Sequence, residues 1–235
     1  MPPMNNDITP SHDKKLLDIL ATVIDTYINK GEPIGSKYLH KLDDMGYAPS
    51  TLRKYLNALE KGGYVYQPYN SSGRIPTVTG MTVYLDTVIQ NNDLLTSPPL
   101  DIDLNLARGG MQQLVNYLAK IVDGVSVGFL RNDEYYYLGI TNILKDAGLT
   151  GDFETTRRIV DFIETREIIG FLSSKVIKKK QVYYTFITNN DTILSCLYAK
   201  VTLNDYDAII AIVGPMRVNY KQNLSILQQI VMMLS

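Results

Sequence analysis

At 235 residues, with 45% hydrophobic and 20% charged residues, the chain has core material and length for two domains. No apolar run approaches the ~18 residues of a membrane span, and Met1–Asp7 lacks the cationic start and apolar stretch of a secretory leader. One cysteine, Cys196, and two histidines, His12 and His40, exclude an intrachain disulfide and a cysteine-based metal cluster and leave little for imidazole catalysis. A net charge of −1 announces no nucleic-acid partner, so any such role rests on where individual cations sit.

Residues 1–11 read as a flexible N-terminus and 12–91 as a first, mainly helical domain. Leu16, Leu20, Val23/Ile24 and Tyr27/Ile28 recur at helical spacing; Ser11 and Asp13 suit the start, Gly31 the stop and Pro33 the exit. A short second helix is predicted over 36–42, with Tyr38, Leu39 and Leu42 facing inward. After the turn Asp43-Asp44-Met45-Gly46, Pro49 suits the first position of a third helix that runs to about Lys61. Gly62-Gly63 ends it, Tyr64-Val65-Tyr66 reads as a short strand, and Ile75 begins a return strand after Asn70–Arg74. A fourth helix is predicted over about 77–90. Helix, helix, turn, helix and hairpin is the order of a winged helix-turn-helix module.

Asn91-Asn92-Asp93 and Thr96-Ser97-Pro98-Pro99 mark a linker over 92–107. In the second domain, 108–235, Met111, Leu114/Val115, Leu118 and Ile121/Val122 form an amphipathic helix. Val125–Leu130 and Glu134–Leu138 form a hairpin around Arg131-Asn132-Asp133, and a helical region follows over 153–172. Residues 181–188 read as a strand turning at Asn189-Asn190-Asp191. The next strand carries Ile193, Leu197, Ala199, Val201 and Leu203 on one side and is expected to be half buried. Ala208–Val213 suits a central strand, and a last helix is spaced by Tyr220, Leu224, Leu227, Val231 and Leu234. A mostly antiparallel sheet with helices on one face, and an α+β class overall, is the expectation.

The third helix carries the most informative pattern. At 100° per residue Ser50, Arg53, Lys54, Asn57 and Lys61 share one face, and Leu52, Tyr55, Leu56 and Leu59 the opposite one. Hydroxyl, guanidinium, ammonium and amide groups are those that contact phosphates and read base edges in a major groove. The nearby acid, Glu60, lies toward the side of this face. The hairpin tip would set Arg74 and the hydroxyls of Ser71 and Ser72 against the sugar-phosphate backbone. Such a face is equally ordinary on a solvated helix, so on these residues alone a protein-binding winged helix competes with a DNA-binding one.

Four blocks carry a resemblance. Gly31-Glu32-Pro33-Ile34-Gly35-Ser36-Lys37, Ser50-Thr51-Leu52-Arg53, Leu59–Val65 and Gln67–Thr77, which contains Ser72-Gly73-Arg74-Ile75-Pro76-Thr77, together resemble the HrcA family of heat-inducible transcription repressors. Tyr137–Leu144 and Gly214–Tyr220 resemble two further signatures of that family. The resemblance implies a GAF-like second domain and a cytoplasmic repressor that binds the CIRCE inverted repeat of chaperone operons as a homodimer, with the GroE chaperonin favouring its active form. The residues themselves show no nucleophile–base pair, metal set or membrane span, so no cofactor, metal, membrane association or enzymatic activity is expected. The resemblance places Arg53 and Lys54 on the family's Arg-Asn pair and Arg74 on its wing arginine. The DNA-binding set it supports is Ser36, Lys37, Ser50, Thr51, Arg53, Lys54, Asn57, Lys61, Ser71, Ser72, Arg74 and Thr77.

Departures accompany it: Lys54 replaces an asparagine able to read a base edge bidentately, and Met81-Thr82 replaces a usual Tyr-Arg. The chain is also shorter than family members usually are, so much of their middle region is expected to be trimmed. A regulator gated by a small ligand in the GAF-like domain is an alternative, although the sequence shows no convergent polar set for one. Cys196 reads as a packed small residue, Lys178-Lys179-Lys180 as a solvated segment, and the tyrosines at 135–137 and 183–184 as sheet or interface residues. Asp191 and Asp205 read as turn formers.

Overall fold

In a computed structural model, which describes residues 14–42, 46–90, 110–130, 134–189, 192–203 and 205–234, the chain divides into two units, Met1–Asn92 and Asp93–Ser235. The N-terminal segment 1–11, the proposed cap residues Ser11 and Asp13, the linker 92–107 and the turns at 43–45, 131–133 and 190–191 lie outside the described residues.

The first unit comprises α1 (Lys14–Lys30), α2 (Ser36–Leu42), α3 (Pro49–Lys61), β1 (Val65–Tyr66), β2 (Ile75–Pro76) and α4 (Val78–Gln90). Leu16, Leu20, Val23 and Ile24 of α1, Leu52, Leu56 and Leu59 of α3, and Met81, Leu85 and Val88 of α4 are buried. Full burial of each such side chain is worth about 1.5–3 kcal/mol. The Tyr84 hydroxyl donates to Asp25 Oδ1, joining α4 to α1. Leu42, expected inward, is 51% exposed; it is the last residue of a two-turn helix whose buried residues are Ser36 and Leu39.

β1 and β2 pair antiparallel, Val65 opposite Pro76. A third extended segment joins them, since Ile34 and Arg74 exchange two backbone hydrogen bonds of 2.8 Å. The approach requires glycine at 73: a Cβ there would lie 2.4 Å from the carbonyl carbon of Ile34. Gly80 of α4 is as constrained, with the Tyr64 carbonyl oxygen 2.0 Å from where its Cβ would stand.

The second unit contains α5 (Met111–Ile121), β3 (Val125–Leu130), β4 (Tyr135–Leu138), α6 (Ile140–Thr150), α7 (Phe153–Glu164), α8 (Glu167–Ser173), β5 (Val182–Asn189), β6 (Thr192–Leu203), β7 (Tyr206–Pro215) and α9 (Tyr220–Met233). The five strands are ordered β4-β3-β7-β6-β5, every pair antiparallel, with the apolar β7 at the centre. The class is α+β.

The helices lie on both faces of this sheet, not on one. Val125, Val127, Phe129, Cys196, Tyr198, Ala211 and Val213 form a core with Ile159, Phe162 and Ile163 of α7 and Ile168 and Leu172 of α8. Alternate residues face the other layer: Gly128 abuts Met111 and Val115 of α5, and the Phe186 ring meets Tyr220 of α9 at 6.2 Å. β6 is accordingly buried on both sides rather than half buried, because Leu194, Cys196 and Tyr198 serve one layer while Leu197, Ala199 and Val201 serve the other. The helical stretch expected over 153–172 is broken at Thr165–Arg166, and α6 is an additional helix entered through Gly139 at φ 99°.

The two C-terminal signatures converge on one turn. Asn142 donates through Nδ2 to the carbonyls of Ala119 (3.1 Å) and Gly124 (3.1 Å). Asn223, fully buried, accepts from the Asp123 amide (2.9 Å) and donates to the Asp123 carbonyl (2.7 Å), while the Asn219 amide donates to Asp123 Oδ2 (2.8 Å). The Asn142 and Asn223 side chains thus satisfy backbone groups of the α5–β3 turn, and the Asp123 carboxylate in return accepts the amide ahead of α9.

Cys196 is fully buried in β6, and burial pushes its thiol up to about 12. Native protein at pH 8 is expected to react with an aqueous disulfide reagent roughly 1,000-fold more slowly than denatured protein, because reaction waits on opening of the sheet. Equal rates in the two states would show the thiol to be accessible.

Candidate nucleic-acid interface

Helix α3 begins at Pro49, whose missing N–H falls among amides without an intrahelical acceptor, after Ala48 in an extended conformation. It ends where Gly63, at φ 75°, reverses the chain. Leu52, Leu56 and Leu59 are 1%, 3% and 0% exposed, whereas Ser50, Arg53, Lys54, Asn57 and Lys61 all face solvent. Thr51 is half-buried in the first turn, and Lys37 of α2 is exposed.

A cleft of about 510 Å³ runs between the start of α2, the outer face of α3 and the loop before β2. Lys37, Arg53, Asn57, Gln67 and Ser71 are among the residues lining it. Ser71 is exposed and holds a left-handed backbone, φ 65°.

Arg74 does not stand free at the loop tip. Its Nε donates to Glu60 Oε2 (3.0 Å) and its Nη2 lies 2.8 Å from the same oxygen. Nη2 also donates to Asn57 Oδ1 (3.2 Å) and Nη1 to the Ser72 carbonyl (3.3 Å). Of five N–H donors in the guanidinium, four are directed into the fold, and the side chain is 13% exposed. Arg74 therefore ties the loop to α3. Gln67 supports the same loop, donating from Nε2 to the Ser72 carbonyl at 3.2 Å.

Two consequences follow for the surface. The single acid of α3, Glu60, is neutralised by Arg74, which leaves the field of Arg53, Lys54, Lys61 and neighbouring Lys37 uncancelled by their own helix. Asn57 has its oxygen engaged by Arg74, so its amide N–H groups are the part left to face outward.

Three other residues of the expected set are used structurally. Ser36 is 8% exposed. Thr77 caps α4: its hydroxyl accepts from the Gly80 amide (3.1 Å) and donates to the Gly63 carbonyl (2.7 Å). The Ser72 hydroxyl donates to the Gly73 carbonyl (3.1 Å). Gln67 and the positioning action of Glu60 have little local signature in the sequence: an acid beside the cationic face and an arginine at the loop, separated along the chain.

Among the described residues no group of three or more His, Cys, Asp or Glu side chains is placed to hold a metal ion. None of the described helices is long and apolar enough to cross a membrane.

The profile of the HrcA protein C-terminal domain matches residues 80–223. The heat-inducible transcription repressor HrcA of Alkaliphilus metalliredigens is 32% identical over 157 residues, 58% of this chain and 45% of that protein. The repressor of the same name from Sinorhizobium fredii is 28% identical over 175 residues, 68% of this chain and 48% of its own length. The chain thus spans about half the length of these curated relatives. A crystal structure of a hypothetical protein superposes with a TM-score of 0.74 at 16% identity, covering 95% of this chain and 97% of the other, which is a likeness of fold.

Proposed function

The chain belongs to the HrcA family, and from that premise we propose that it is a transcriptional repressor of heat-shock genes acting by occupancy of DNA. Residues 12–91 are read as a winged helix-turn-helix domain, with α3 entering the major groove and the loop 71–74 flanking the adjacent backbone. The supporting observation is the row Ser50, Arg53, Lys54, Asn57 and Lys61 on the solvent face of α3, backed by buried Leu52, Leu56 and Leu59. Arg53, Lys54, Lys61 and Lys37 supply phosphate or guanine contacts; Ser50, Thr51 and Ser71 supply hydroxyls; Asn57 presents its N–H donors to an acceptor. Ser36, Ser72, Arg74 and Thr77 act by shaping this surface.

Residues 108–235 are read as a GAF-like dimerisation and regulatory domain, joined through 92–107. A two-fold protein matches an inverted repeat of the CIRCE type, and linking two half-site contacts makes the second intramolecular. The GroE chaperonin would set the fraction of competent dimer in the cytoplasm, and no bond-making chemistry is required.

The test is a gel-shift series with a CIRCE duplex and a scrambled control across salt concentrations. Arg53→Ala and Lys54→Ala are each expected to weaken binding by about 1–3 kcal/mol, and each phosphate contact removed lowers the salt slope by about 1. Unchanged affinity in both variants, with a shallow slope for the parent, would replace this reading with that of a protein-binding adaptor.

A further inference from the structure

In the second unit the helical layer formed by α6–α8 packs on one face of the sheet. There a cavity of about 370 Å³ opens between β3, β7, β6 and α8, within the roughly 300–1,000 Å³ of small-molecule sites. Its floor is apolar: Phe129 and Leu172 are buried, and Ile169, Ile177 and Ile209 are half-buried. Its mouth is cationic, with Arg166, Lys175 and Lys200 lining it.

These cations differ in what they already hold. Lys200 and Lys179 clasp Asp207 at 2.7 and 2.9 Å, so that carboxylate is occupied, and the two ammonium groups hold it well below the usual carboxylate range, at about 2. Arg166 and Lys175 have no carboxylate within ion-pair distance among the described residues. They rest instead on aromatic faces, Arg166 5.4 Å from the Tyr135 ring centre and Lys175 Nζ 4.6 Å from that of Phe171. Tyr135 is itself fixed by its hydroxyl, which donates to the Ile163 carbonyl at 2.7 Å.

Arg166 also carries a left-handed backbone, φ 62° and ψ 16°, at the joint of α7 and α8. Glycine or asparagine is the ordinary occupant of such a position. A long cation held there against a tyrosine, over an apolar recess, is a feature that helix termination does not require.

We propose that this cavity is a binding site for a small amphipathic organic anion: an apolar body lying on Phe129, Leu172 and Ile209, and one carboxylate or phosphate between Arg166 and Lys175. Glu134, exposed at the rim, disfavours a head group on its side and directs it toward those two cations. The site stands independently of whether the first unit binds DNA.

The experiment titrates the full chain with octanoate and octyl phosphate below their micellar concentrations. Octanol and inorganic phosphate serve as controls, with melting temperature and calorimetric affinity as readouts. At least one amphiphilic anion is expected to raise the melting temperature by several degrees through linkage. Arg166→Gly, which suits the left-handed backbone and preserves the fold, and Lys175→Gln are each expected to weaken its binding about tenfold. The stronger of the two anions identifies the head group. The proposal is overturned if neither anion binds, if octanol or inorganic phosphate binds as well, or if both variants bind like the parent.

Discussion

Gly80→Ala is expected to destabilise the first unit by about 3 kcal/mol, roughly 12–24 °C in its melting temperature. Intrinsic propensity has the opposite sign: alanine for glycine inside a helix ordinarily stabilises by about 0.5–1 kcal/mol. The steric term dominates because the new Cβ would stand 2.0 Å from the Tyr64 carbonyl oxygen, and that carbonyl cannot retreat. It accepts the Thr77 amide at 3.1 Å, while the Tyr64 amide is held by Leu59 at 2.9 Å. Relief therefore requires α4 to lift, which uncovers Met81 and Leu85. Gly35→Ala, where an added Cβ meets nothing within 4 Å, is the control and should cost no more than about 1 kcal/mol, the difference between glycine and alanine at the N-cap of α2. Denaturant unfolding followed by circular dichroism measures both; a Gly80→Ala protein as stable as the parent would falsify the packing described for α4.

Removing the acid from α3 should weaken DNA binding. By charge counting, Glu60→Gln makes the surface more positive and ought to tighten any contact with phosphate. Because Glu60 instead anchors Arg74, and Arg74 in turn holds Asn57 and the Ser72 carbonyl, its loss frees the loop and lets the Asn57 amide turn. Glu60→Gln and Arg74→Gln are each expected to reduce affinity for the inverted-repeat duplex about tenfold. The double variant should fall no further than either single one, since the two residues form one unit. Neither should change the salt slope by a full unit, whereas Arg53→Ala should. Additive losses, with a slope reduced by about 1 in Arg74→Gln alone, would identify Arg74 as a phosphate contact.

How legible the molecule is from its sequence follows from how far apart interacting residues lie. The faces of α3 were readable because helical periodicity sorts Leu52, Leu56 and Leu59 from Arg53, Lys54 and Asn57 within a single segment. Arg74 could be placed on the hairpin but not oriented, since its carboxylate partner sits on the preceding helix. The two-sided covering of the sheet was concealed by Ser126 and Gly128, small residues that interrupt the apolar run of β3 although both positions are buried. Gly128 is small because Met111 lies over it. The signatures at 137–144 and 214–220 were visible as motifs, yet their shared work on the Asp123–Gly124 turn depends on three segments meeting. The cavity beside Arg166 was invisible for the same reason, its walls being drawn from positions between 129 and 209.

The strand order has a bearing on synthesis. β3 borders β4 on one side and β7 on the other, with Val125 opposite Val213. During translation at roughly 5–20 residues per second, Val-Ser-Val-Gly-Phe-Leu emerges and waits several seconds for its central partner. β5, β6 and β7 meanwhile zip by local hairpins. The nascent polypeptide thus exposes an unmet, strongly apolar edge until its last third leaves the ribosome, a topology of high contact order that folds slowly and invites aggregation unless the edge is shielded.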